Sequence, residues 1–213
     1  MFGALDRIGP DGSVVALDIS VDCLDELRAA CDDARVSYLV GSAEVLPLPD
    51  ASVDVVLTRS VLIYVREKAE AAREFLRVLR PGGRVSLFEP VNRRNTQLWE
   101  LVDFGDLAER VEKDFYRRWP HDDPMQDFDV ADMTRWFEEA GFAEVDADVV
   151  VSTMRVTPDA VLHGVGAPGS RSLVDAWREG FSAEEVERLE EAVQEAGPTE
   201  PEWPALYLTG RRS

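Results

Sequence analysis

The sequence predicts a layered α/β fold, a mostly parallel sheet with helices on both faces, and three features carry that expectation. From residue 13 onward, short apolar runs alternate with stretches whose apolar residues recur at helical spacing, the pattern of strand–helix–strand units. Several runs are apolar at consecutive positions, as strands buried on both faces are. A final apolar run, residues 205–210, follows a long helical stretch and is expected to lie antiparallel to its neighbour. The 213 residues suit one large domain, or one domain with a small cap.

Residues 14–19 read as a buried strand. Ser20 is placed to cap the following helix, whose Val21, Leu24, Leu27 and Cys31 share a face. Residues 36–40 are a second strand, followed by a turn-rich connection over 41–52 that contains Pro47 and Pro49. Residues 53–57 are a third strand. Residues 67–79 form a helix with Ala69, Ala72, Leu76 and Leu79 on one side, which Pro81-Gly82-Gly83 is expected to stop. Residues 84–88 are the fourth strand. Residues 92–127 break the rhythm, being rich in Trp, Phe, Tyr and Arg; they are expected to form a helical insert or cap, with one helix over roughly 97–118. A helix over 130–140 ends at Gly141, and residues 145–154 are extended. Residues 155–204 are expected to be a helical segment before the last strand. Within them, Ser182-Ala183-Glu184-Glu185 is a capping-box signature for a helix presenting Val186, Leu189 and Val193, closed by Gly197-Pro198.

The composition narrows the function. A net charge of -19 repels phosphate backbones and anionic bilayers, which argues against nucleic acid or membrane as the main partner. A basic patch of Arg93, Arg94, Arg117 and Arg118 is the one local exception, read mainly as solvated surface. No apolar run approaches the roughly 20 residues of a membrane span, and the first ten residues lack a basic leader, so a cytoplasmic location is expected. Cys23 and Cys31 are too far apart along a helix for a disulfide and are expected to be buried thiols. No metal signature is present.

In doubly wound sheets, ligands bind beyond the carboxyl ends of the strands. That rule selects Asp18 and Ile19, residues 41–44, residues 59–64 and residues 89–92. A carboxylate ending the first of these strands suits the hydroxyls of a ribose.

The residues in combination say more. Gly12-Ser13-Val14-Val15-Ala16-Leu17-Asp18-Ile19-Ser20 resembles the second-strand segment of class I S-adenosylmethionine-dependent methyltransferases, especially the ubiquinone/menaquinone-biosynthesis branch. Residues 41–56, from Gly41-Ser42-Ala43-Glu44 to Ser52-Val53-Asp54-Val55-Val56, resemble that family's adenine-binding loop and fourth strand. Glu74-Phe75-Leu76-Arg77-Val78-Leu79-Arg80-Pro81-Gly82-Gly83-Arg84 resembles its helix-to-fifth-strand junction, and Glu138-Glu139-Ala140-Gly141-Phe142 a later helix end. These blocks fall in family order over roughly residues 5–150.

The resemblance implies a three-layer Rossmann-like methyltransferase sheet and S-adenosyl-L-methionine as cofactor. Asp18 would hold the ribose and Ile19 would pack on the adenine. Ser42 and Ala43 would meet the adenine edge, with Ser42 standing where many relatives carry an acid. Arg59 and Ser60 would lie near the methionine part. The acceptor is expected to be a small molecule. The resemblance also implies a first strand and an acidic-x-Gly-x-Gly-x-Gly loop, whereas residues 1–8 match only the end of the helix that follows them. A longer polypeptide is therefore expected. A buried central strand contributes four or five large apolar side chains at about 1.5–3 kcal/mol each, comparable to a domain's net stability of about 5–15 kcal/mol. The 213-residue form is accordingly expected to be impaired in stability and cofactor affinity.

Methyl transfer needs a general base only where the acceptor must lose a proton. His121, Glu89 and Tyr64 are weak candidates, each more readily structural. Trp99, Phe104, Phe115, Tyr116 and Trp119 either line an acceptor pocket or form the buried face of the cap helix. His163 has no partner suggested by sequence. Two rival readings remain at this stage. One is a non-catalytic, partner-binding remnant. The other is an NAD(P)-dependent reductase, for which Asp18 and the Tyr64-x-x-x-Lys68 spacing would serve.

Overall fold

The computed structural model describes residues 2–164 and 171–213. In chain order the elements are α1 (Phe2–Leu5), β1 (Val14–Asp18), α2 (Val21–Ala30), β2 (Val36–Val40), β3 (Val53–Arg59), α3 (Lys68–Val78), β4 (Leu79–Pro90), α4 (Leu98–Leu101), α5 (Ala108–Arg118), α6 (Val130–Ala140), β5 (Ala143–Thr153), α7 (Pro158–His163), α8 (Leu173–Trp177), α9 (Ala183–Ala196) and β6 (Glu202–Arg211). Strands β1 and β2 pair in parallel, Asp18 opposite Val40. The larger sheet has the order β3-β4-β6-β5. In it β3 and β4 are parallel, and β6 runs antiparallel to both β4 and β5. The expected antiparallel final strand is present.

The two sheets share no ladder. The division falls between the strand ending at Asp18 and the one starting at Val53, where the family resemblance puts a strand that no described segment fills. Among the described residues β1 and β3 each leave one edge unpaired. The consequence shows on β3: Val53 and Val56 pack against the core, while Val55 and Leu57 stand 52% and 61% exposed.

The core lies on the other face of the larger sheet. Ala71, Ala72 and Phe75 of α3 and Met133 and Phe137 of α6 close over Val85, Leu87, Leu206 and Leu208, as the pairing of two amphipathic helices with one sheet face requires. A second apolar cluster joins Phe104, Leu107 and Val111 to Leu162, Trp177, Leu189 and Val193. It packs the segment around α4 and α5 against α7, α8 and α9. Beside Phe128 of the first cluster stands Lys68, almost wholly buried. Its ammonium donates to the carbonyls of Val65 and Pro124 and to the Asp127 carboxylate, so the buried cation is fully engaged.

Several local expectations are corrected. The helix expected over residues 97–118 is broken. Val102 ends α4, Asp103 accepts the Gly105 N–H, and Gly105 takes φ +53°, so the chain turns before α5 begins. Helix α3 ends without the help of Pro81-Gly82-Gly83, because Leu79 is already extended and opens β4. The glycines instead allow a close crossing: a Cβ on Gly83 would lie 2.9 Å from the Asp54 carbonyl oxygen. Helix α2 buries Leu24, but Val21 is 54% exposed, because a two-stranded sheet offers little surface to cover. Cys31 is buried and Cys23 exposed, both unpaired. The capping predictions hold at Ser20 and Ser182, which each accept a backbone N–H, and Gly141, expected to end α6, adopts φ +105°; Asp129 caps the start of α6, which the sequence reading did not single out.

One side chain ties the turn-rich connection 41–52 to α3. Arg77 makes a bidentate pair with Glu74 at 2.7 and 2.8 Å. Its remaining donors reach the carbonyls of Leu46 and Leu48 and the Asp50 carboxylate. Glu74 also accepts the Leu46 N–H at 2.7 Å. Hydrogen bonds from Arg77 hold the Glu74 carboxyl below its ordinary value of 4.5. Because that value is depressed in the fold, the stabilisation is complete above pH 4.5 and is lost as pH falls through the folded value. Arg77→Ala is expected to destabilise the protein by about 2–3 kcal/mol, since it leaves several half-buried acceptors unpaired. Urea unfolding at pH 7 and pH 3.5 should show the difference between the two proteins shrinking at the lower pH.

Candidate cofactor-binding site

The carboxyl ends of β1 and β2 form the first half of the site. The parallel register sets Asp18 beside Val40, and the Gly41 N–H donates to the Asp18 carbonyl at 3.0 Å. Asp18 and residues 41–44 therefore share one edge, as the sequence expected. Gly41 has to be glycine here, since a Cβ would come within 2.7 Å of Pro47. Asp18 uses one carboxylate oxygen to accept the Ser20 N–H at 2.8 Å. The other oxygen makes no hydrogen bond among the described residues, and the residue is exposed. Ile19, next to it, is 76% exposed. An apolar side chain in the open beside a carboxylate suits a nucleoside, whose ribose has hydroxyl donors and whose base has an apolar face. Ser42 is occupied by its own turn: its hydroxyl accepts the Glu44 N–H and reaches the Glu44 carboxylate. Ala43 is buried in the core, so in this structure it anchors the loop.

The second half lies where β3 ends. The Arg59 guanidinium sits 5.2 Å over the Phe88 ring. Ser60 has φ +52°, a left-handed conformation unfavourable for serine, and its N–H donates to the Phe88 carbonyl at 2.8 Å. Glu89, fully buried at the end of β4, holds the turn that follows. Its carboxylate accepts the N–H groups of Val61, Leu62 and Ile63 at 3.1–3.2 Å, with the Thr58 hydroxyl at 3.5 Å. Burial raises the Glu89 carboxyl above its ordinary 4.5, against the pull of these hydrogen bonds. A carboxylate sealed in this way organises backbone and has no route to a substrate proton.

The other sequence candidates are dispersed. Tyr64 closes the short 3-10 turn at Leu62–Tyr64 and is 64% exposed. Lys68 is buried and bound elsewhere, so Tyr64 and Lys68 do not form a reductase pair. His121 is exposed and stacks on Tyr116, centroids 4.2 Å apart. Trp99, Phe115 and Tyr116 form one aromatic cluster, and Phe104 packs edge-on against Trp177. Arg94, Arg117 and Arg118 are each paired with an aspartate, which disperses the expected basic patch. Among the described residues no cluster of His, Cys, Asp or Glu suits a metal, and no helix is long and apolar enough to cross a membrane. Sequence reasoning listed Glu89 as a possible base and missed its role as a clamp; the one available signal was an acid at the end of an expected strand.

Glu89→Gln tests that role. Since the folded state raises this carboxyl, the native protein loses stability as pH rises from 4.5 through the folded value. Denaturant midpoints measured from pH 4 to pH 8 should therefore move in favour of the Gln protein as pH increases. A constant difference between the two proteins would contradict the assignment.

Residues 1–87 match the family model described as a methyltransferase domain. The ubiquinone/menaquinone biosynthesis C-methyltransferase UbiE of Idiomarina loihiensis is 37% identical over 108 residues, covering 47% of this chain and 43% of that protein. The demethylmenaquinone methyltransferase of Listeria monocytogenes is 29% identical over 153 residues, covering 66% and 63%. The chain thus spans less than two thirds of these relatives' length. Among solved structures, the YcgJ protein of Bacillus subtilis aligns over 94% of this chain and 82% of its own, with 16% identity and a TM-score of 0.57. That likeness concerns the fold alone. With a methyltransferase-domain match over residues 1–87 and matching blocks shared with these relatives, the chain is similar in sequence to quinone-biosynthesis methyltransferases over its amino-terminal part, and it shares the YcgJ fold over nearly its whole length.

Proposed function

We propose that this chain is the body of an enzyme that methylates a small-molecule acceptor, with S-adenosyl-L-methionine as donor. The observation that carries the reading is the shared edge of Asp18, Ile19 and residues 41–44. The free carboxylate oxygen of Asp18 would hold the ribose hydroxyls, the exposed Ile19 would cover the adenine, and Ser42 and Ala43 would border it. Arg59 and Ser60 would face the methionine part, in a turn kept in place by Glu89. The residues present fit the nucleoside half of the cofactor well.

When bound, the cofactor supplies an electrophilic methyl group on a positively charged sulfur. The protein's own part is orientation, which in such displacements carries much of the acceleration. Residues 92–127, with the helices of 155–204 packed against them, serve as the cap that holds the acceptor and excludes water. Neither Glu89 nor Tyr64 is positioned as a base. His121 stays the cap candidate for an acceptor that must lose a proton.

Because β1 and β3 share no ladder, nothing in the described sheet fixes Asp18 relative to Arg59. We therefore infer that the 213-residue form binds the cofactor weakly. The same open edges favour a second reading, a methyltransferase-like domain that pairs with a partner strand.

Calorimetric titration with S-adenosylhomocysteine tests the first reading. Saturable binding is expected, and Asp18→Asn should weaken it about 10- to 100-fold, the equivalent of roughly 1.5–3 kcal/mol for a charged hydrogen bond. Binding that Asp18→Asn leaves unchanged would refute the assigned ribose site. No binding at millimolar ligand would favour the partner-strand reading.

A further inference from the structure

Two adjoining cavities lie beyond the carboxyl end of β4. The outer one, about 300 Å³, starts at Asn92, two residues past the strand, and is bounded by Asn95, Met125 and Gln126. The inner one, about 260 Å³, runs among α4, α5, α7 and α8, with the fully buried Trp177 in its wall. They share the wall formed by Thr96, Gln97, Leu98, Phe115 and Trp203.

The chemistry of these walls is one-sided. Arg118 is the one charged residue lining either cavity, and Asp114, itself 6% exposed, takes up its guanidinium at 3.0 Å. On the shared wall the Thr96 and Gln97 side chains are already used. The Thr96 hydroxyl accepts the Glu202 N–H at 2.9 Å, the Gln97 amide donates to the Asn95 carbonyl at 2.9 Å, and the same side chain caps α4. The amide groups of Asn92, Asn95 and Gln126 belong to the outer cavity. The inner cavity is faced by Trp99 and Phe115, which meet edge to face at 5.3 Å. A charged ligand placed here would lose its hydration without gaining a counter-charge, at a cost of several kcal/mol. A flat apolar group would gain aromatic contacts. At this volume, at or below the roughly 300 Å³ lower end of ligand sites, the inner cavity suits a compact group better than a long hydrocarbon tail.

We propose that the paired cavities are the acceptor site of this chain and take a compact, uncharged, ring-bearing molecule, its ring in the inner cavity and its polar end beside Asn92 and Asn95. Only the word acceptor rests on the methyltransferase reading; binding itself does not.

The experiment is calorimetry on the full chain with 2-naphthol, with phosphoethanolamine as the charged probe and 4-octylphenol as the tailed one, each with and without S-adenosylhomocysteine. Saturable 2-naphthol binding is expected, at least tenfold tighter than either comparison probe. Val161→Phe and Leu98→Trp, which fill the inner cavity from two sides, should each weaken it tenfold or more and leave S-adenosylhomocysteine binding unchanged. Thermal unfolding identifies which variants fold, and either one suffices. The proposal is overturned if 2-naphthol does not bind, if a comparison probe binds as tightly, or if a folded filled variant keeps native affinity. Naphthol binding without any S-adenosylhomocysteine binding would instead sink the methyltransferase reading and leave the cavity assignment standing.

Discussion

The bidentate pair of Arg77 and Glu74 is the interaction on which the rest of this structure depends. Among the described residues the chain folds around two sheets that share no ladder, and the connection 41–52 has to bridge them. That connection contains two prolines and has little regular structure to hold it. Arg77 and Glu74, one turn apart on α3, grip it at Leu46, Leu48 and Asp50. The guanidinium can do this because its donors form a rigid planar fork that reaches several acceptors at once; a lysine would reach fewer. With the loop held, Ala43 enters the core and the edge bearing Asp18 is tied to the larger sheet.

A second carboxylate, this one fully buried, solves a related problem where β3 ends. The backbone leaving β3 must turn sharply at Ser60, and the N–H groups after that turn have no helix to receive them. Glu89 collects three of them. It does so without a cation, so the fold carries the desolvation of a charge in return for a defined turn. The placement of Arg59 and Ser60 follows from that exchange. Glu89 thus influences the site without touching whatever binds in it.

The helical segments around α4, α5 and α7–α9 are built on a different principle. These helices are short, and their stability comes from a common apolar cluster that joins residues far apart in sequence, Phe104 and Val111 with Trp177 and Leu189. Short helices are marginal on their own. This cluster therefore forms only when segments on either side of β5 meet, and the two cavities lie along that junction. Backbone groups take up the Thr96 and Gln97 side chains of the shared wall, and the described lining is largely apolar, with Arg118 paired to Asp114.

Much of this was legible in the sequence because its causes are local. Period and capping residues located α2, α6, α9 and β6, and they did so because hydrophobic periodicity and N-cap chemistry act within a few residues. Asp18 and residues 41–44 could be paired in advance because parallel strands place their carboxyl ends on one edge. Other features depended on contacts between distant residues. The break at Val102–Phe104, the early start of β4 at Leu79, the burial of Lys68 and the exposure of Val21 were each decided by what packs nearby, and no local pattern encodes that. Glu89 is the clearest case: its sequence neighbourhood shows an acid at a strand end, and only the tertiary fold, by delivering three N–H groups from a turn 26 to 28 residues away, makes it a clamp instead of a base.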